Sequence, residues 1–175
     1  MNTQQLKKVM DSDRKCKDQF VGVFASDELP RRINKFPAAL IANVDKSSMP
    51  GSHWVAIYIN QDQKGQYFDS YGVGPRQNKM FFERFLKNNC TTWDFNPKVL
   101  QGQYSAVCGQ YCLFYLLHKC RGIPLKEILK CFSDNRFEND AFVNHFIREK
   151  FALDTVVFDD DMLGNQIARA ILRVL

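Results

Sequence analysis

Four residues, His53, Asp69, Gln101 and Cys108, have the types that acyl transfer by a thiol requires. A thiol is a poor nucleophile until it ionises, and a helix N-terminus lowers its pKa through the macrodipole and unpaired N–H groups. Cys108 opens the stretch CGQYCLFYLLHK, which is apolar nearly all round and reads as a buried helix. An imidazole beside the thiol takes its proton and holds an ion pair. A carboxylate on the far side of the ring fixes the tautomer and steadies the imidazolium. The attacked carbonyl needs donors for its developing charge, and the Gln101 amide and the Cys108 backbone N–H are the candidates. Each residue alone has a plainer reading: a strand histidine that packs, an aspartate that caps a turn, a cysteine that fills space. Their order and their local contexts, H-W, F-D-x-Y-G and Q-G-x-x-S-A-x-C-G, favour the chemical reading.

These residues must be positioned by an α+β fold. HWVAIYIN (53–60) is strongly β-like, and the turn signal around Gly65 folds it back into YFDSY, so His53 and Asp69 share the open end of a hairpin. FVGVFAS (20–26) and AALIANV (38–44) are further β-like runs, separated by Pro30 and Pro37. Residues 3–10 suit a short helix with Leu6, Val9 and Met10 on one side. Met80, Phe81, Phe82, Phe85 and Leu86 fall at helical spacing, and 90–101 reads as extended. Gly122 and Pro124 end the Cys108 helix and start a short one; Asp140 to Phe151 and 161–174 suit two more. There is no repeat and no linker, so one domain over 1–175 is expected, with a central mixed sheet flanked by helices.

The chain has 175 residues, 45% of them hydrophobic, which excludes a disordered protein. Its N-terminus lacks the apolar core of a secretory signal, and no run reaches membrane-spanning length. A soluble intracellular protein is therefore expected, with its six cysteines mostly thiols and not a disulfide framework. The charge of +5 permits a polyanion partner without requiring one, because the basic patches are short: Lys7-Lys8, Arg14-Lys15 with Lys17, and Arg31-Arg32 with Lys35. Cys108, Cys112, His118 and Cys120 crowd together, but only the first two share a helix face, which argues against zinc. Cys112 reads as a small buried residue.

The motifs GSHW, YFDSYG and LQGQYSAVCGQYC resemble, in order and spacing, those of the adenovirus protease (adenain) family within the Ulp1-like cysteine protease clan. The resemblance runs to about residue 120. It implies a papain-like/Ulp1-like fold with Cys108 as nucleophile at the start of a buried helix, His53 as base, Asp69 as orienting acid and Gln101 as oxyanion donor. Gln103 is the alternative donor. The adenoviral enzymes often carry Glu where Asp69 stands, so the strand must bring the shorter acid closer. Trp54 matches the aromatic after the histidine and, with Gly51 and Ser52, is expected at the substrate cleft. By the same resemblance Cys90 stands where a disulfide to an activating peptide forms, DNA is a cofactor, and the substrates are viral or mobile-element precursors cut at small, Gly-Gly-type sites. A monomer in the virion and host nucleus would follow. Deconjugation of ubiquitin or SUMO by the same clan chemistry is the alternative. The seven-residue offset from Gln101 to Cys108 favours the first reading, since Ulp1-type enzymes typically use six. A non-catalytic protein- or DNA-binding module would be expected to lack one of the four residues. An acyltransferase would need a site for acyl-CoA or inositol phosphate, which nothing in the sequence suggests.

Overall fold

The computed structural model describes residues 1–78 and 80–151; the helix expected over 161–174 lies outside them. The elements in order are α1 (Thr3–Ser12), β1 (Phe20–Phe24), a single 3₁₀ turn (Ser26–Glu28), β2 (Ala38–Asn43), β3 (Trp54–Ile59), β4 (Lys64–Phe68), α2 (Pro75–Asn78), α3 (Met80–Asn89), β5 (Thr92–Phe95), α4 (Cys108–Lys119), α5 (Leu125–Leu129) and α6 (Arg136–Phe151). The strands form one mixed sheet in sequence order, with β1–β2 and β4–β5 parallel and β2–β3–β4 antiparallel. The α+β expectation holds, with helices on both faces.

Strand alternation sorts the core into two layers. Ala39, Ile41, Ala56, Tyr58 and Phe68 face α1, α4, α5 and α6. Ala38, Leu40, Ala42, Val55, Ile57, Ile59 and Tyr67 face Phe82, Phe85 and Leu86 of α3. A parallel pair needs a crossover, and here both crossovers cover the second face: Leu29, Ile33 and Phe36 from the β1–β2 connection, and α3 from the β4–β5 connection. The first face is thereby left to α4, whose residues from Gly109 to His118 are all buried. A helix enclosed on every side must be apolar on every side, which is what its sequence shows.

Two boundaries differ from expectation. The β3–β4 turn is not at Gly65. The Asn60 side chain accepts from the Asp62 and Lys64 N–H groups at 3.0 and 2.8 Å, and Gln63 takes the left-handed conformation at φ 57°. Gly65 instead lies within β4 opposite Ile59, where a Cβ would stand 2.5 Å from Cys90 Sγ. It is a close-packing glycine, not a turn glycine. Helix α6 begins at Arg136 and not at Asp140, because the Asn135 side chain accepts from the Phe137 N–H at 3.1 Å and starts the helix a turn earlier. Its inward residues, Phe142, Val143, Phe146 and Ile147, are the expected ones.

Candidate active site

Continuing the β3–β4 register (Ala56 opposite Phe68) to the open end of the hairpin sets Tyr71 opposite His53 and Asp69 on its diagonal. His53 stands one residue before β3, yet its carbonyl accepts from Val44 N–H at 2.9 Å and so continues the β2–β3 ladder. The ring is therefore presented by a rigid strand end. Its Nε2 meets Asp69 Oδ1 at 2.8 Å, and the Tyr71 ring packs on it with centroids 4.8 Å apart. With Nε2 engaged, Nδ1 is the nitrogen left for Cys108, with which the imidazole interacts side chain to side chain.

Electrostatics separates this pair from ordinary side chains. Burial opposes the charge on His53, but the Asp69 and Cys108 partners outweigh it and raise its pKa to about 9. Burial likewise opposes a thiolate, yet His53, together with the Trp54 backbone N–H, holds Cys108 below the ordinary thiol value. Each shift favours the charged form, so the two groups stabilise a thiolate–imidazolium pair. Helix α4 begins at Cys108 without a side-chain cap, which leaves first-turn N–H groups for an anion. The other cysteines with shifted thiols go the other way: burial pushes Cys90 to about 11 and Cys112 well above its ordinary value.

Asp69 is only 1% exposed, and a buried carboxylate needs partners. Oδ1 accepts from Tyr71 N–H at 2.8 Å as well as from His53, and Oδ2 accepts from Asn78 of α2. Asn96, fully buried after β5, clamps its backbone: Asn96 Oδ1 accepts from Asp69 N–H at 2.9 Å, and Asn96 Nδ2 donates to Asp69 O at 2.8 Å. An aspartate thus reaches the imidazole directly, despite its shorter stem.

Gln101 is equally enclosed. Ser70 Oγ donates to Gln101 Oε1 at 2.6 Å, and Gln101 Nε2 donates to Ser105 O at 2.9 Å. The carboxamide is held in one orientation, with its second Nε2 hydrogen uncommitted among these contacts. Gln103 is exposed in the same loop. A cleft of about 650 Å³ joins Gln101, Cys108, His53, Tyr71, Trp54, Ser52 and Gly51, and runs on past Met49, Lys46 and Glu28. Gly51 has φ +89°, and a Cβ there would meet Asn43 Nδ2 at 2.8 Å. Trp54 Nε1 donates to Met1 O at 3.0 Å, so the indole both borders the cleft and pins the start of α1.

His53, Gln101 and Cys108 therefore line one cleft together with Gly51, Ser52 and Trp54, and Asp69 stands buried behind His53; Cys90 lies elsewhere, against Gly65 and Trp93. Sequence reasoning missed Tyr71, Ser70, Asn78 and Asn96. Tyr71 was recoverable from the hairpin register; the asparagines and the serine carry no periodic signal. Among the described residues, no three His, Cys, Asp or Glu side chains converge to hold a metal ion. None of the described helices is long and apolar enough to cross a membrane.

Comparison with known proteins adds an independent observation. The protease of human adenovirus A serotype 12 is 25% identical over 118 residues, covering 59% of this chain and 57% of that protein. The chain is related in sequence to the adenovirus protease. The match spans little more than half of the relative's length. No family profile matches the chain. Among solved structures, two of the ASFV pS273R protease are similar, at 24% identity and TM-score 0.40, covering 61% of this chain and 43% of that one, and at 19% and 0.49, covering 78% and 64%. The central domain of the uncharacterised Lpg1148 protein of Legionella pneumophila is 14% identical at TM-score 0.47, covering 86% of this chain and 96% of that domain.

Proposed function

We propose that this chain is a single-domain cysteine endopeptidase of the adenain type, acting on precursor polypeptides at small-residue, Gly-Gly-type sites. One observation carries the reading: His53 hydrogen-bonds Asp69 and interacts with Cys108 at the start of α4, in a cleft that also holds Gln101. The adenovirus relationship supports the same chemistry.

The Cys108 thiolate attacks the scissile carbonyl carbon, forming a C–S bond and moving the carbonyl electrons onto oxygen. The Gln101 amide and the Cys108 backbone N–H stabilise that oxyanion. Collapse breaks the C–N bond, and the imidazolium gives its proton to the departing amine. His53, now neutral, takes a proton from water as it attacks the thioester. The acid departs, and the thiolate and the imidazolium are restored. Asp69 keeps the ring oriented and stabilises its positive form throughout.

The test is turnover of a fluorogenic peptide ending in Gly-Gly, alongside ubiquitin and SUMO conjugates. Cys108→Ala should abolish cleavage and leave the fold intact; full activity in that variant overturns the mechanism. Conjugates cut far better than peptides would reassign the substrate to ubiquitin-like modifiers. DNA and an activating peptide that pairs with Cys90 belong to the same proposal. Assays with and without each, in reducing and non-reducing buffer, decide them by whether turnover rises.

A further inference from the structure

The loop from Leu100 to Ser105 carries Gln101 but contains no helix or strand of its own. Its inner end is tied to Ser70, whose carbonyl accepts from the Leu100 and Gln101 N–H groups at 2.8 and 3.1 Å. Its outer part is tied to helix α6, remote in sequence. Gly102 N–H donates to the Asp140 carboxylate, 3.1 Å from Oδ2 and 3.4 Å from Oδ1. The neighbouring Asn139 donates through Nδ2 to Leu100 O at 3.1 Å. Tyr111, in the first turn of α4, places its hydroxyl 2.9 Å from Asp140 Oδ1. Ser105 N–H donates to Gly102 O at 3.2 Å, and the single Ser105 hydroxyl hydrogen is shared between Gly102 O, 3.2 Å from Oγ, and the Asp140 carboxylate.

This arrangement explains Gly102. A Cβ there would lie 2.8 Å from Asp140 Oδ2, so only glycine lets the loop backbone come this close. It also gives a use to a carboxylate that pairs with no Lys or Arg among the described residues. The chain of contacts is continuous: Asp140 holds Gly102 and Ser105, Ser105 O accepts from Gln101 Nε2, and Gln101 borders the cleft beside Cys108. Because Tyr111 belongs to the helix that Cys108 opens, Asp140 ties the loop and the nucleophile helix to a common point.

We infer that Asp140 is the positioning residue of the oxyanion loop: by holding the Gly102 N–H and the Tyr111 hydroxyl it sets where the Gln101 amide stands relative to Cys108. This rests on the peptidase reading above. Asp140 touches no reacting atom and acts through Gln101.

The experiment compares Asp140→Asn with the wild-type chain on the Gly-Gly peptide. Asparagine keeps the shape but removes the charge. The Tyr111 hydroxyl, which also has Leu100 O at 3.1 Å to donate to, can accept from the new amide, while the Gly102 N–H keeps only a neutral acceptor and the hold on the loop weakens. Losing an oxyanion donor outright costs about 10²- to 10³-fold in kcat, and a displaced donor should cost about tenfold, with KM changed by less than about twofold. Alkylation of Cys108 by iodoacetamide builds no oxyanion, so its rate across pH should stay as in the wild type; general damage to the site would slow both reactions. Gly102→Ala, which pushes the loop off Asp140, should reproduce the kcat loss. The double variant Gln101→Ala/Asp140→Asn should be no slower than Gln101→Ala alone, because the two residues act in series. Wild-type kcat in Asp140→Asn, or a loss that multiplies fully with that of Gln101→Ala, overturns the inference while leaving the peptidase reading intact. Absence of turnover by the wild-type chain overturns the peptidase reading, and this inference with it.

Discussion

Replacing Asp69 by Asn keeps the size of the side chain and deletes its charge. Burial acts against a charged His53, yet the ring stands at about 9 against its ordinary 6.5. That rise corresponds to about 3 kcal/mol in favour of the protonated ring, supplied jointly by Asp69 and Cys108. The two shares separate in a Cys108→Ala background, where Asp69 alone opposes burial. Following the His53 ring protons by NMR against pH, Cys108→Ala should titrate above 6.5 and Cys108→Ala/Asp69→Asn below it, since burial is then unopposed. The linkage sign is fixed by the direction of the shift. A folded-state pKa raised above the unfolded one gives stability that is complete below pH 6.5 and is lost as pH climbs towards 9. In urea unfolding, the cost of Asp69→Asn should therefore be greatest near pH 6 and shrink by pH 9, with about 3 kcal/mol as the upper bound of the change. A constant difference remains at every pH, because Tyr71 N–H and Asn78 also lose their carboxylate. Equal titration midpoints in the two backgrounds, or a cost that grows with pH, would refute the ion-pair reasoning.

Two further predictions concern the frame around the site. Gly65→Ala sets a methyl 2.5 Å from Cys90 Sγ and 3.3 Å from Trp93 Cβ, and should lower stability by about 2 kcal/mol in chemical denaturation. Adding Cys90→Ala should recover part of that loss; fully additive losses would show that the clash lies elsewhere. Asn96→Ala removes the clamp on both backbone groups of Asp69 together with the 3.2 Å bond to Lys98 O. It should cost about 3 kcal/mol by leaving buried groups unpaired, and peptide turnover should fall with it; unchanged stability would remove the clamp from the account.

Much of the frame could be read before any coordinates. The near-continuous apolar runs AALIAN and WVAIYI give strands buried on both faces, and the all-round apolar CGQYCLFYLLHK gives the enclosed helix. His53 and Asp69 were legible as neighbours because a hairpin register is local, and Cys108 because its place at a helix start is local too. Gly65 misled for the same reason. Between polar residues a glycine signals a turn, but here it answers to Cys90 and Trp93, which come from another part of the chain.

The chain's own order thus determined which residue types are available, which elements carry them and at which ends of those elements they stand. Tertiary structure decided how they are held. Asn96 on Asp69, Ser70 on Gln101 and Asp140 on Gly102 are side-chain hydrogen bonds between segments far apart in sequence, and Asn78 reaches Asp69 from the next helix, nine residues on. Burial imposes a period on apolar residues that a sequence displays, whereas a hydrogen bond needs only one donor and one acceptor brought together, and leaves no pattern until the fold has closed.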